Sequence, residues 1–155
     1  MSKLNQEIVK HWQQLRQMSL DLLDQLSDKD MGKKLPFETS QTLGNQFYCM
    51  LGTQETYVDY YLKDGEWKDW SCSLGNSETP PIIKVRTAMV EADKKLITML
   101  GSLNLLKTAG DGSILNRHLI LVEHESHHQG QLINFIYAHN LPIPKSWTDK
   151  WALER

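Results

Sequence analysis

His124 and His128 stand four residues apart in the run HLILVEHESHHQGQLINF, residues 118–135. On an α-helix that spacing puts both imidazoles on one face, about 5–6 Å apart at Cβ. Leu121, His124, His128, Leu132 and Phe135 follow at steps of three, four, four and three, the rhythm of a core-facing stripe. A buried imidazole needs a partner, either a hydrogen-bonding side chain or a metal ion. Two imidazoles one turn apart are a metal-ligand spacing, common enough to be weak by itself. The string His124-Glu125-Ser126-His127-His128 also spells HExxH, the zinc-protease pattern in which Glu125 would be the general base. The short chain and the lack of a substrate-binding edge strand count against that reading. With no ion, the same residues read as core histidines satisfied by their neighbours.

Around this pair, His127 is expected on a helix flank. His118 falls near the same face but at a different depth, and His11 and His139 read as surface residues. Gly130 inside a helix costs about 1 kcal/mol relative to alanine, which a close helix crossing would explain, and Gln131 is a polar helper. Glu55, Asp59 and Glu125 are candidate bases, with solvated helix charge as the plainer reading of each.

Four helical patterns and no convincing strand position these residues. The first covers roughly 3–27, with Leu4, Ile8, Trp12, Leu15, Leu22 and Leu26 on its apolar side. A turn at 27–30 and then Pro36 end it. The second runs from about 41 to 63, capped by Thr39 or Ser40, with Leu43, Phe47, Met50, Leu51, Tyr57, Val58 and Tyr61 on its buried face. Residues 64–79 read as a long loop. Its Trp67, Trp70 and Cys72 are too apolar for a solvated connection, so it is expected to fold back on the helices. The third helix has Thr79 as cap and Pro80 at its first position and continues to about 101, before a polar link over 102–112. The fourth spans roughly 113–139, with Ser113 as cap and Asn140, Pro142 and Pro144 as its stop. The closing KSWTDKWALER is expected to pack as a tail. Four amphipathic helices of this length predict an all-α, single-domain four-helix bundle over 1–155.

The chain has 155 residues, 40% of them apolar and 23% charged, with a formal net charge of −2. That suits one domain with a sizeable core. No basic stripe supports a nucleic-acid footprint, and no apolar run reaches the ~18 residues of a membrane span. The N-terminus lacks the apolar core of a signal peptide, so the expected location is cytoplasmic. Cys49 and Cys72 are then expected as free thiols.

HESHHQGQL, with His-x-x-x-His followed closely by a Gly-Gln pair, resembles the final-helix motif of the DinB/YfiT-like superfamily. TLGNQFYCMLGTQETYVDYYL resembles that family's second helix, and the length, helix count and proline-rich stop agree, so the resemblance spans nearly the whole chain. It implies a four-helix bundle with an up-down-down-up course, often a homodimer. It also implies a divalent metal, zinc or nickel, held by one histidine from the second helix and two from the fourth. Members with assigned activities include transferases and isomerases that use bacillithiol, mycothiol or glutathione.

The chain departs from that pattern at one ligand. The second-helix histidine aligns with Cys49, and residues 38–63 hold no histidine. Cys49 is in register with Leu43, Phe47 and Met50 on the buried side. A thiolate is a competent zinc ligand, so the resemblance implies a Cys49–His124–His128 site with an open fourth position. If Cys49 is only a small apolar core residue, the site is degenerate. Cys72 could approach the same mouth as a nucleophile or extra ligand, or be incidental, and Trp67 and Trp70 could wall a pocket or pack under the loop. Two functions follow. One is a metal-dependent enzyme activating a small thiol, such as a low-molecular-weight cellular thiol, or water, for transfer or hydrolysis. The other is a non-catalytic dimeric helical protein. Neither the catalytic residues nor the substrate can be named from the sequence.

Overall fold

The computed structural model describes residues 1–75 and 79–154. The architecture is all-α: helices α1 (Lys3–Leu23), α2 (Leu43–Thr56), α3 (Leu62–Asp64), α4 (Ile82–Ser102), α5 (Ile114–Ala138) and α6 (Lys145–Trp151). A wider π-helical turn, Tyr57–Tyr61, joins α2 to α3 without a break, so the expected helix over 41–63 is one rod with a changed pitch. Two-residue strands β1 (Thr108–Ala109) and β2 (Gly112–Ser113) pair antiparallel within the link that leads into α5.

Side-chain caps start the helices. Ser2 accepts from the Asn5 amide, and Ser113, as expected, from the Asn116 amide at 3.1 Å. The cap of α2 is Thr42, which accepts from the Asn45 amide at 3.0 Å, and not Thr39 or Ser40. Ser40 Oγ instead accepts from the Leu35 amide at 2.8 Å, folding residues 33–42 into a strap. The third long helix starts at Ile82, beyond both prolines, because a distant residue does the capping: Asp28 Oδ1 accepts from the Ile82 amide at 2.9 Å. Thr79 therefore has no capping role. The expected loop over 64–79 folds back as anticipated, although its residues 76–78 lie outside the described residues. Ser71 N and Ser73 N donate to Thr56 Oγ1 and Glu55 Oε2 of the second helical rod. The tail coils into α6, whose Trp147 is fully buried and donates from Nε1 to the Met18 carbonyl at 2.6 Å. Arg155, the last residue of that expected tail, lies outside the described residues.

The helices α1 and α2 each pack against both α4 and α5. Burial splits into two apolar clusters. One gathers Leu22, Leu23, Phe47, Met50, Met89, Phe135 and Trp147. The other gathers Trp12, Val58, Leu62, Leu96, Leu100 and Leu121. Between them, in the middle of every long helix, lies a polar layer. Arg16 Nη2 donates to Gln54 Oε1 at 2.6 Å and pairs with Glu125 Oε2 at 3.2 Å. Its Nε lies 3.4 Å from Asp93 Oδ1, which also accepts from Gln54 Nε2 at 2.8 Å and Trp12 Nε1 at 3.1 Å. Ser19 Oγ donates to Glu125 Oε1 at 2.6 Å and accepts from Gln129 Nε2 at 3.0 Å. Glu125 is thus no solvated charge: it is 1% exposed, and burial pushes its carboxyl up while Arg16 and Ser19 pull it back.

His118 also departs from expectation. It is fully buried edge-on against Trp12 of α1, with neither ring nitrogen partnered. Burial, with a smaller contribution from His11, lowers its pKa to about 4. The unfolded chain takes up a proton near pH 6.5 that the folded chain refuses until about pH 4, so stability falls as pH drops through that window. In His118→Leu the urea midpoint is expected to fall less steeply between pH 6.5 and 4 than in the parent; an unchanged slope would remove His118 from the account. Arg16→Met leaves the Glu125 carboxylate buried without its cation and is expected to cost about 3–5 kcal/mol in urea unfolding, most of it recovered by adding Glu125→Leu.

Candidate metal centre

The site lies at the level of the polar layer, in the seam between α2 and α5. One hundred degrees per residue turns Glu125 toward α1 and leaves His124 and His128 facing α2. From α2 the residues Gln46, Cys49 and Thr53, spaced three and four apart, meet them. The ligand atoms of Cys49, His124 and His128 all lie within 4.8 Å of one another. His124 Nε2 is 3.2 Å from His128 Nε2 and 3.7 Å from Cys49 Sγ. A tetrahedral zinc site, with bonds of about 2.0–2.1 Å to nitrogen and about 2.3 Å to sulfur, requires separations of roughly 3.4 Å and 3.6 Å. The donor set fits a divalent ion, and the two separations that involve His124 match it, while Cys49 and His128 lie within 4.8 Å of each other.

Gln46 and Thr53, both missed by the sequence reading, add to the geometry, while His124 Nδ1 is buried without a hydrogen-bond partner. Gln46 Oε1 lies 2.8 Å from His128 Nδ1. With that oxygen as acceptor, Nδ1 carries the ring proton and Nε2 keeps its lone pair on the side of His124 and Cys49, the arrangement that orients metal-binding histidines. Thr53 Oγ1 lies 3.3 Å from His124 Nε2 and accepts from Trp70 Nε1 at 3.4 Å. The signal for both was present, because 46, 49 and 53 share one helical face.

Burial sets the protonation states. It lowers His124 to about 4, helped by the charges of His127 and Arg16. It lowers His128 to about 3, with His124 and His127 adding and the nearby Gln131 amide opposing. Both rings are neutral near pH 7 and need lose no proton to act as ligands. Burial pushes the Cys49 thiol up, partly offset by the Thr53 hydroxyl, so its ionisation calls for a nearby positive charge.

Aromatic rings pack over this part of α2. Trp70 packs edge-on against Tyr48 at 5.1 Å, and its ring covers Gly52, where an added β-carbon would collide with it. Trp67 packs on Tyr57 and Tyr61 at 5.7 and 5.8 Å. Cys72 is half-buried beside this wall, and burial raises its thiol to about 11, with the Glu55 and Cys49 charges adding. Both cysteines are free thiols.

The other expectations divide. His127 is exposed on the flank, its ring 5.4 Å from that of His128, and Asp59 is exposed. Glu125 faces the opposite helix, which denies it the base role of a zinc protease. Glu55 is committed to the Ser73 amide. His139 is not a free surface residue: its Nε2 lies 2.7 Å from the Lys34 carbonyl and its ring stacks on Phe135. Gly130 is exposed, and a β-carbon there would meet nothing within 4 Å, so no close crossing explains it; the close approach is at Gly52. A groove of about 640 Å³ between α1 and α6 carries both signs of charge, including Lys10, Asp21, Asp149 and Lys150, and includes none of the three ligand candidates.

Comparison with known proteins adds no assignment: no family model, no curated protein and no solved structure matches the chain.

Gly52→Ala is expected to push the Trp70 ring off α2. The tryptophan emission assigned by difference from Trp70→Phe should then become more quenchable by acrylamide; unchanged quenching would mean that the ring does not rest on Gly52.

Proposed function

We propose that this chain is a DinB/YfiT-like four-helix bundle with an up-down-down-up course, and a divalent-metal-dependent enzyme acting on a small thiol or water. The observation that carries the reading is the convergence of Cys49 Sγ with the ring nitrogens of His124 and His128. The course is supported by the order of pairings: α1 meets α4 in opposite order (Asn5 with Leu100, Trp12 with Asp93) and α5 in the same order (Trp12 with His118, Ser19 with Glu125), and α2 meets α5 in opposite order (Gln46 with His128, Thr53 with His124). No helix among the described residues is long and apolar enough to cross a membrane.

In this reading Cys49, His124 and His128 hold the ion, with zinc favoured over nickel by the thiolate. Three protein ligands leave a position open, where such an ion lowers the pKa of a thiol or water enough to make a nucleophile near neutral pH. The protein's own groups do the rest. Cys49 gives up its proton on loading, whereas His124 and His128, already neutral, do not. Gln46 fixes the tautomer and direction of His128. The Thr53 hydroxyl, 3.3 Å from His124 Nε2, is placed to orient a group entering the open position. Trp70 and Tyr48 shield that position from bulk water and offer a flat apolar wall to the electrophile. Self-association into a homodimer belongs to the same proposal and is read by sedimentation.

Metal analysis of protein purified without a histidine tag tests the reading. Stoichiometric zinc or nickel is expected, abolished in His124→Ala, reduced in Cys49→Ser, and weakened about 10–100-fold in Gln46→Leu. A metal-free protein whose stability is unchanged in the first two variants would overturn it and leave the non-catalytic dimeric bundle with a degenerate site.

A further inference from the structure

Residues 66–74 form no helix or strand, yet they carry three large apolar side chains, Trp67, Trp70 and Leu74. Glycines bracket the segment. Gly65 and Gly75 both sit in the left-handed region, at φ 73° and 69°, a conformation that glycine adopts at no steric cost. Hinges of moving loops are a few such positions that absorb the backbone change. Among the described residues, no backbone–backbone hydrogen bond ties 66–74 to a helix. The polar ties to the second helical rod run through its side chains or through the indole of Trp70. Ser71 N and Ser73 N donate to Thr56 Oγ1 and Glu55 Oε2 at 3.3 and 2.8 Å, and Trp70 Nε1 donates to Thr53 Oγ1 at 3.4 Å. Only the Ser73 bond is short, and it is open to solvent. A segment held this way opens at a lower cost than the helices beneath it.

One ring docks the segment. Trp70 lies against Gly52, whose missing β-carbon makes room for the indole, and packs edge-on against Tyr48. The ring is still 38% exposed, so its burial on α2 is incomplete. Cys49 stands three residues before Gly52, and Thr53 follows it. Thr53 Oγ1, the acceptor of the indole N–H, is 3.3 Å from His124 Nε2, which in turn is 3.7 Å from Cys49 Sγ. Cys72, in the same segment, is half-buried and close enough to Cys49 for their charges to interact. The ring that fastens the segment therefore stands one hydroxyl away from His124.

We infer that residues 66–74 are a lid on the Cys49–His124–His128 centre, hinged at Gly65 and Gly75 and latched by Trp70 on Gly52 and Thr53. Closed, the lid covers the Cys49 side of α2. Open, it admits a small molecule to the sulfur and to His124. The inference rests on the proposed centre only for what the lid guards, since latch and hinges belong to the chain by itself. Opening leaves the long helices paired, so it exposes little surface compared with unfolding.

N-ethylmaleimide labelling of Cys72 and Cys49, resolved by mass spectrometry on the metal-free full chain, tests the lid, together with tryptic cleavage after Lys68. Cys72 is expected to react several-fold more slowly than in a urea-denatured control, at a rate that changes little with urea below the unfolding transition. Thr53→Val keeps the side-chain volume and removes the latch acceptor. It is expected to raise the Cys72, Cys49 and Lys68 rates together by roughly three- to tenfold, and Trp70→Ala to raise them further. Where Trp70→Ala lowers the urea midpoint, Thr53→Val carries the comparison. Labelling with the full urea dependence of global unfolding, Cys72 reacting as fast as the denatured control, or Cys49 unchanged while Cys72 accelerates would each overturn the inference. None of these rates needs a metal, so a chain that takes up no zinc fails the metal reading alone.

Discussion

A carboxylate cannot be left unpaired in a protein interior, and Glu125, 1% exposed, is held by Arg16 and Ser19 of α1. That one constraint fixes the rotation of α5. With residue 125 turned toward α1, residues 124 and 128 must face α2, and no other rotation keeps the pair. Arg16 extends the constraint sideways: it reaches Gln54 on α2 and Asp93 on α4, so a single guanidinium touches the other three long helices. The apolar clusters above and below can tolerate some sliding, since dispersion is not directional. The polar layer cannot, because each of its bonds has a required length and angle. It sets the axial register at which Cys49 and Thr53 come level with His124.

The same layer explains why the histidine seam is electrostatically distinct from its surroundings. Arg16 adds positive potential on the far side of α5 and helps to hold His124 neutral. His127, exposed next to His128, acts in the same sense. Two neutral rings and an un-ionised thiol therefore meet in a place where adding a proton is disfavoured. Such a place suits a ligand set, since neutral imidazole is the binding form, and it disfavours a histidine general base, whose proton affinity here is too low near neutral pH.

Much of this was legible in the chain. The stripe from Leu121 to Phe135 placed His124 and His128 on the inner side of α5, and the register of Cys49 with Phe47 and Met50 placed its sulfur opposite. Ser113 and the Asn140–Pro144 stop bounded α5 within a residue or two. What escaped detection depended on contacts distant in sequence. Asp28 caps α4 from 54 residues away, so Thr79 and Pro80, the local signals, misplaced its start. Glu125 looked like surface charge because its partners, Arg16 and Ser19, lie more than 100 positions earlier. Gly130 drew attention as a helical glycine, yet the glycine that packing requires is Gly52, whose partner Trp70 sits in a loop without periodicity. Gln46 and Thr53 did carry a signal, the three-and-four spacing through Cys49. On a buried face, however, glutamine and threonine read equally well as packing compromises, and only the ring nitrogen against each distinguishes them.

A cysteine in place of a third imidazole changes what the proposed centre could do. Thiolate donates its charge to the ion, so a Cys–His–His set acidifies an entering water or thiol less than three neutral rings would. Burial, which pushes the Cys49 thiol up, makes that thiolate depend on the ion, and ion and ligand therefore stabilise one another. Thr53 bears on the same balance, because a hydroxyl shared by Cys49, His124 and Trp70 Nε1 can soften the sulfur's charge by hydrogen bonding. Trp70 thus links the aromatic wall to the electronics of the ligand. Gly52 is the condition for that link, since only a residue without a side chain lets the indole descend far enough to reach Thr53.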